Sequence, residues 1–82
     1  VIEVLSPSTI DFDRGPKLDF YKAVPTVTHI VLVYQDQMRV EHYLRTPNGF
    51  ELHVLKRSDD RLVFDNPGFE IDLASVYFGV EV

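Results

Sequence analysis

Glu3 stands in the middle of Val1-Ile2-Glu3-Val4-Leu5-Ser6, an otherwise apolar run with the pattern of a strand. A carboxylate is almost never fully buried unless it is paired, because withdrawing its charge from water costs more than the surrounding apolar contacts return. Any fold open to this chain must therefore bring Glu3 a cation, a metal ion or a proton. Alternation puts Val1, Glu3 and Leu5 on one side of the strand and Ile2 and Val4 on the other.

Pro7 stops the strand, Ser8 and Thr9 are turn and cap residue types, and Asp11 and Asp13 place negative charge where a helix N-terminus favours it. The pattern predicts a helix from about Asp13 to Ala23, with Gly15 and Pro16 in its first turn and Pro25 beyond its end. At about 100° per residue, Lys17, Phe20, Tyr21 and Val24 form one stripe facing the core. Asp13 falls on the same side, whereas Asp19 and Lys22 point away. The lysine and Glu3 are thereby expected to meet on one side of the sheet.

His29 to Tyr34 is nearly unbroken apolar sequence rich in β-branched residues, as in a central strand covered on both faces. After a turn at Gln35-Asp36-Gln37, Met38 to Arg45 alternates. Met38, Val40, His42 and Leu44 share one face, and Arg39, Glu41, Tyr43 and Arg45 the other, the signature of a half-exposed antiparallel strand. Pro47-Asn48-Gly49 is a turn. A three-residue loop would pair Leu44 with Leu52, His42 with Val54 and Arg45 with Glu51, so that faces and charges match, with Gly49 left-handed. Ser58-Asp59-Asp60 turns again, Arg61 to Phe64 is a short fifth strand, and Asn66-Pro67-Gly68 breaks it. Phe69, Ile71 and Leu73 alternate with acids in a last strand, and Ala74 to Phe78 has room for one helical turn. No internal repeat is present.

These elements make an α+β fold: a mixed and antiparallel sheet with one main helix after the first strand. At 82 residues there is room for one domain, residues 1–82, with a small core. The absence of cysteine removes disulfides, thiolate zinc sites and cysteine nucleophiles together, and fits a cytoplasmic protein. No apolar run approaches the roughly 20 residues that cross a bilayer, so no membrane partner is expected. With 8 Lys and Arg against 13 Asp and Glu, the net charge of -5 counts against a stand-alone nucleic-acid binder.

A strand carboxylate and a nearby lysine supply part of what metal-dependent phosphodiester cleavage needs: an oxygen ligand for a hard cation and a positive group to stabilise developing charge. A structural ion pair is the plainer account of the same two residues. Other candidates are weaker. His29, His42 and His53 lack close metal spacing, and the three-residue loop sends His42 and His53 to opposite faces. Ser6 and Ser8 have no base-and-acid pair nearby. Asp11 and Asp13 are explained by helix capping, and Tyr21 by a core position with its hydroxyl bonded.

Val-Ile-Glu-Val-Leu-Ser-Pro-Ser-Thr, then Asp13-Arg14-Gly15 and Lys17 with Tyr21 four residues on, then His-Ile-Val-Leu-Val, closely resembles the Uma2 family. That family is a domain of unknown function abundant in cyanobacteria, within the PD-(D/E)XK restriction-endonuclease-like superfamily. The resemblance runs through all 82 residues. It implies an endonuclease-like core in which Glu3 is the catalytic and metal-binding strand carboxylate and Lys17 the catalytic lysine carried on the helix. It also implies Mg²⁺ or Mn²⁺ as cofactor and DNA as the substrate of the complete domain.

The family pattern has a further metal-binding aspartate, in a Pro-Asp pair on an earlier strand, and this chain begins after it. Val1 opens directly into a strand without initiator Met, so the chain is expected to be the C-terminal part of something longer and inactive by itself. A non-catalytic binding or assembly module on a nuclease fold, and a structural β-rich fragment that pairs with its own kind, are the alternatives. Strands stripped of neighbours recruit others, which predicts a homo-oligomer, or association with the rest of the parent chain, through Val1 to Ser6 or His29 to Tyr34.

Overall fold

A computed structural model describes residues 1–6, 8, 11, 14–64 and 68–80. In chain order the elements are β1 (Ile2–Leu5), α1 (Pro16–Ala23), β2 (His29–Tyr34), β3 (Val40–Thr46), β4 (Gly49–Leu55), β5 (Arg61–Phe64), β6 (Phe69–Asp72) and α2 (Leu73–Val76). β1 to β4 form a sheet in sequence order, with β1 parallel to β2 and the remaining pairs antiparallel. A parallel neighbour cannot be reached by a tight turn, and α1 is the crossover that returns the chain to β2. β5 and β6 form a separate antiparallel hairpin. The fold is thus α+β, as the sequence predicts.

The sheet is covered on both faces. On one, Leu18 of α1 packs with Leu5, Ile30, Leu32, Tyr34 and Tyr43. On the other, the hairpin and α2 bring Leu62, Leu73 and Tyr77 onto Val31 and Val40. β2 runs through the middle with Ile30, Val31 and Leu32 all buried, which accounts for its continuous apolar sequence. Both its edges are hydrogen-bonded, so of the two strands expected to recruit a partner only β1 has an edge unpaired among the described residues. Among the described residues no helix is long and apolar enough to cross a membrane.

Three sequence expectations fail here, for related reasons. β3 is not half-exposed: Glu41 and Tyr43 are buried toward α1 while Val40 and His42 are buried toward the hairpin. Its polar residues mark a second interior face, not solvent. The β3–β4 loop then has two residues, with Thr46 opposite Gly49, Leu44 opposite Glu51, Arg45 opposite Phe50 and His42 opposite His53. Matching apolar with apolar failed because Arg45 takes an aromatic partner, its guanidinium carbon 4.5 Å from the Phe50 ring centroid, in place of Glu51. Gly49 sits at φ 119°, where a side chain would be strained.

The third concerns the helix. α1 runs from Pro16 to Ala23 with Gly15 as N-cap and no side-chain cap; the expected start at Asp13 lies outside the described residues, as does Thr9. Its buried residue is Leu18, and Phe20 is 65% exposed, so the inward stripe is rotated by one position from the expected one. Lys22 does not face away either: its ammonium lies 4.6 Å from the Tyr43 ring centroid. Arg45 closes the C-terminal end of α1, donating from Nη2 to the carbonyls of Lys22 and Val24, both at 2.9 Å, and from Nε to Val27 at 2.7 Å.

Candidate functional site

Glu3 projects from β1 toward α1, because its cross-strand neighbour Leu32 belongs to the helix-side core. Leu18 anchors the helix, and Lys17 and Tyr21, one turn apart, reach the carboxylate from either side of the same turn. Lys17 Nζ is 2.9 Å from Glu3 Oε1, and the Tyr21 hydroxyl donates to the same oxygen at 2.6 Å. Together the Tyr21 hydrogen bond and then the Lys17 cation hold the Glu3 carboxyl below the usual carboxylate range, against a smaller opposing effect of burial. The pair remains accessible, with side-chain exposures of 31% for Lys17 and 22% for Glu3. The structure therefore brings together the two residues the sequence singles out, and identifies Glu3 as the partner of the Tyr21 hydroxyl.

A second carboxylate escaped the sequence reading. Glu41 lies across Leu32 from Glu3 in one row of the sheet, so both acids point to the helix side. Unlike Glu3 it is fully buried. Arg14 donates from Nε to Oε1 at 3.2 Å, and Arg39 from Nη2 and Nε to Oε2 at 2.8 and 3.1 Å. The signal that could have found it was the acid at the centre of a strand whose charged face had no need to be solvent-facing.

A magnesium ion takes about six oxygen ligands, most of them water, but is held by at least one or two carboxylates with open positions. Both contacts of Glu3 fall on one oxygen and come from positive or hydroxyl donors, while Glu41 is occupied by two arginines. Among the described residues no group of three His, Cys, Asp or Glu side chains could hold a metal ion. The donor set among the described residues does not by itself fit a divalent cation. Asp13 lies outside the described residues.

On the opposite face, the two-residue loop places His42 and His53 on the same side, with ring centroids 6.3 Å apart, correcting their expected separation. His29 Nδ1 and His42 Nε2 are 2.9 Å apart with ring centroids at 5.1 Å, so the two nitrogens point at one another and share a proton. One ring's N–H donated to the other's lone pair occupies both nitrogens and leaves no place between them for a shared metal. His53 contacts Glu51 at 3.1 Å, and His42 and His53 line a cavity of about 240 Å³ with Leu44, Leu55, Arg61 and Val63. Ser6 and Ser8 are within hydrogen-bond distance of each other at 3.1 Å, and Asp11 is exposed.

No family model matches the chain, and no solved structure matches it. It is similar to two proteins of the cyanobacterium Synechocystis. Uncharacterized protein slr1290 is 31% identical over 80 residues, covering 98% of this chain and 42% of that protein. Uncharacterized protein sll1609 is 42% identical over 43 residues, covering 52% of this chain and 24% of that protein. The chain is thus homologous to uncharacterized cyanobacterial proteins and spans less than half the length of either.

Proposed function

We propose that the chain is the C-terminal part of an Uma2-like, PD-(D/E)XK-type domain whose complete form hydrolyses phosphodiester bonds of DNA with Mg²⁺ or Mn²⁺. The observation that carries this reading is the 2.9 Å contact of Lys17 Nζ with Glu3 Oε1, a strand carboxylate and helix lysine left accessible on the helix side of a mixed sheet. In this reading Glu3 is the metal-binding carboxylate and Lys17 the cation that stabilises charge on the phosphate, the remaining metal ligands coming from the rest of the domain. The cyanobacterial relatives, more than twice as long as the aligned segment, are consistent with a larger whole. The occupied state of Glu3 favours a second reading, in which the pair is structural and the domain binds or assembles without catalysis.

Plasmid nicking tests the choice. Supercoiled DNA incubated with the 82-residue chain and Mg²⁺ or Mn²⁺ is expected to stay intact, since one carboxylate leaves the cation under-coordinated. The longer protein carrying this sequence is expected to nick it, and Glu3→Ala or Lys17→Ala in that protein to abolish nicking. Intact plasmid in both cases would leave the non-catalytic module. Nicking by the short chain, lost in Glu3→Ala, would show the missing ligand to be dispensable.

A further inference from the structure

The net charge of -5 is not spread evenly. Residues 51–82 hold seven of the thirteen acids and three bases, whereas residues 1–50 hold six acids and five bases. Those five, Arg14, Lys17, Lys22, Arg39 and Arg45, all make their contacts on the α1 side of the sheet. The acidic excess belongs to the hairpin half, so overall charge does not describe the helix side.

On that side, where acids and bases nearly balance, one arrangement exceeds what folding requires. A buried carboxylate needs one guanidinium for charge balance, and Glu41 holds two. Each guanidinium has five N–H donors. Glu41 takes two from each, and a tyrosine hydroxyl neighbours each, Tyr43 for Arg14 and Tyr34 for Arg39, so donors remain on both. Arg14 is 47% and Arg39 26% exposed, while Glu41 beneath them is closed to water. The cluster is a rigid cationic fork with one net positive charge, two strands away from Glu3 along the same row.

We propose that Arg14 and Arg39, held by the buried carboxylate of Glu41, form a contact site for the phosphodiester backbone of a polynucleotide beside the Glu3–Lys17 pair. Planar guanidinium forks match phosphate oxygens, and fixing their orientation in advance removes the entropy cost that a free surface arginine meets on binding. Glu41 is a positioning residue: it touches the arginines and not the ligand. The choice of a polynucleotide rests on the nuclease reading, while the site itself rests on the arginine geometry.

The test is fluorescence anisotropy of a labelled duplex of about 20 base pairs with the 82-residue chain in EDTA, across about 50 to 200 mM salt. Arg14→Ala and Arg39→Ala should each weaken binding about 5- to 10-fold and lower the slope of log affinity against log salt by about 0.9. Glu41→Gln makes the chain less negative, so simple charge attraction predicts tighter binding and positioning predicts weaker. Weaker binding is expected. If an alanine variant loses the far-UV circular dichroism of the folded chain, Arg14→Lys and Arg39→Lys replace it, with intermediate affinity expected because charge is kept and the fork is lost.

Arginine variants that bind as the wild type does, a tighter Glu41→Gln, or no salt-dependent binding by the wild type would each overturn the site. Displacement of the duplex by inorganic phosphate at constant ionic strength and millimolar concentration would overturn the polynucleotide in favour of a free anion. Should the longer protein never nick DNA while these shifts appear, the backbone contact stands without the nuclease. Nicking together with unaltered binding by the arginine variants is the reverse case and removes the contact.

Discussion

Replacing Tyr21 by Phe removes one oxygen and leaves the ring, which packs against the helix-side core and meets Phe20 edge-on at 5.8 Å. The loss includes the 2.6 Å hydrogen bond to a charged carboxylate. Such bonds contribute about 1.5–3 kcal/mol, and solvent access to Glu3 together with the retained Lys17 cation places this one near the lower bound, about 1.5 kcal/mol. For a domain of this size that lowers the melting temperature by about 6–12 °C. The pH dependence is the sharper signature. The native Glu3 carboxyl is held below its unfolded value, so its stabilisation is complete above the unfolded value and is lost as pH falls through the native one. Tyr21→Phe should therefore be most destabilising near about pH 7, with the deficit shrinking only as pH falls below the ordinary carboxylate range and native Glu3 protonates. Urea denaturation of both proteins in EDTA, followed by circular dichroism between about pH 7 and about pH 2.5, measures it. A deficit that does not change with pH, or one below about 0.3 kcal/mol at pH 7, would refute the assignment of Tyr21 as a donor to ionised Glu3.

Two further outcomes follow from the same contacts. Arg45→Met strips three carbonyls at and beyond the end of α1 of their donor, and is expected to cost about 2–4 kcal/mol in urea denaturation with loss of helical signal, whereas an unchanged midpoint would mean that water caps this end equally well. β1 is an edge strand whose Ile2 and Val4 are 64% and 55% exposed, so sedimentation equilibrium at micromolar concentration should show self-association that Val4→Lys abolishes, and a stable, well-folded wild-type monomer would refute it.

What was legible in the sequence was carried by local signals. β5 at Arg61–Phe64 is a short apolar run set off by turn residues, β6 at Phe69–Asp72 alternates, and the β-branched run of β2 has no other use than burial on two faces. The meeting of Glu3 and Lys17 was legible because a crossover helix that follows a strand and leads to its parallel neighbour has few ways to pack on the sheet. What failed depended on neighbours from elsewhere in the chain. Alternation in β3 reports that its two faces differ, and cannot tell a solvent face from one covered by a cation-bearing helix, so Glu41 read as surface. The hairpin register inherited that error. Leu18 and Phe20 differ by two positions on α1, and the eight-residue helix is too short for periodicity to decide which of them faces the sheet.

The row Glu3, Leu32, Glu41 explains why α1 has one docking position and not several. Apolar contact between Leu18 and the sheet is non-directional, and Leu5, Ile30 and Leu32 would accept the helix shifted by a turn. A one-turn shift moves α1 by about 5.4 Å, which would carry Lys17 and Tyr21 away from Glu3 and drag Arg14 from Glu41 at the same time. Glu3 would lose both its donors, and the buried Glu41 would keep Arg39 but lose one of its two guanidiniums, so the shift is penalised at both acids. The two carboxylates flanking Leu32 therefore act as a register for the helix, and Arg45 fixes its far end through the Lys22 and Val24 carbonyls. Hydrophobic burial holds the helix against the sheet, while the acids determine where it rests. The same constraint that fixes the fold keeps the Lys17 ammonium within 2.9 Å of Glu3.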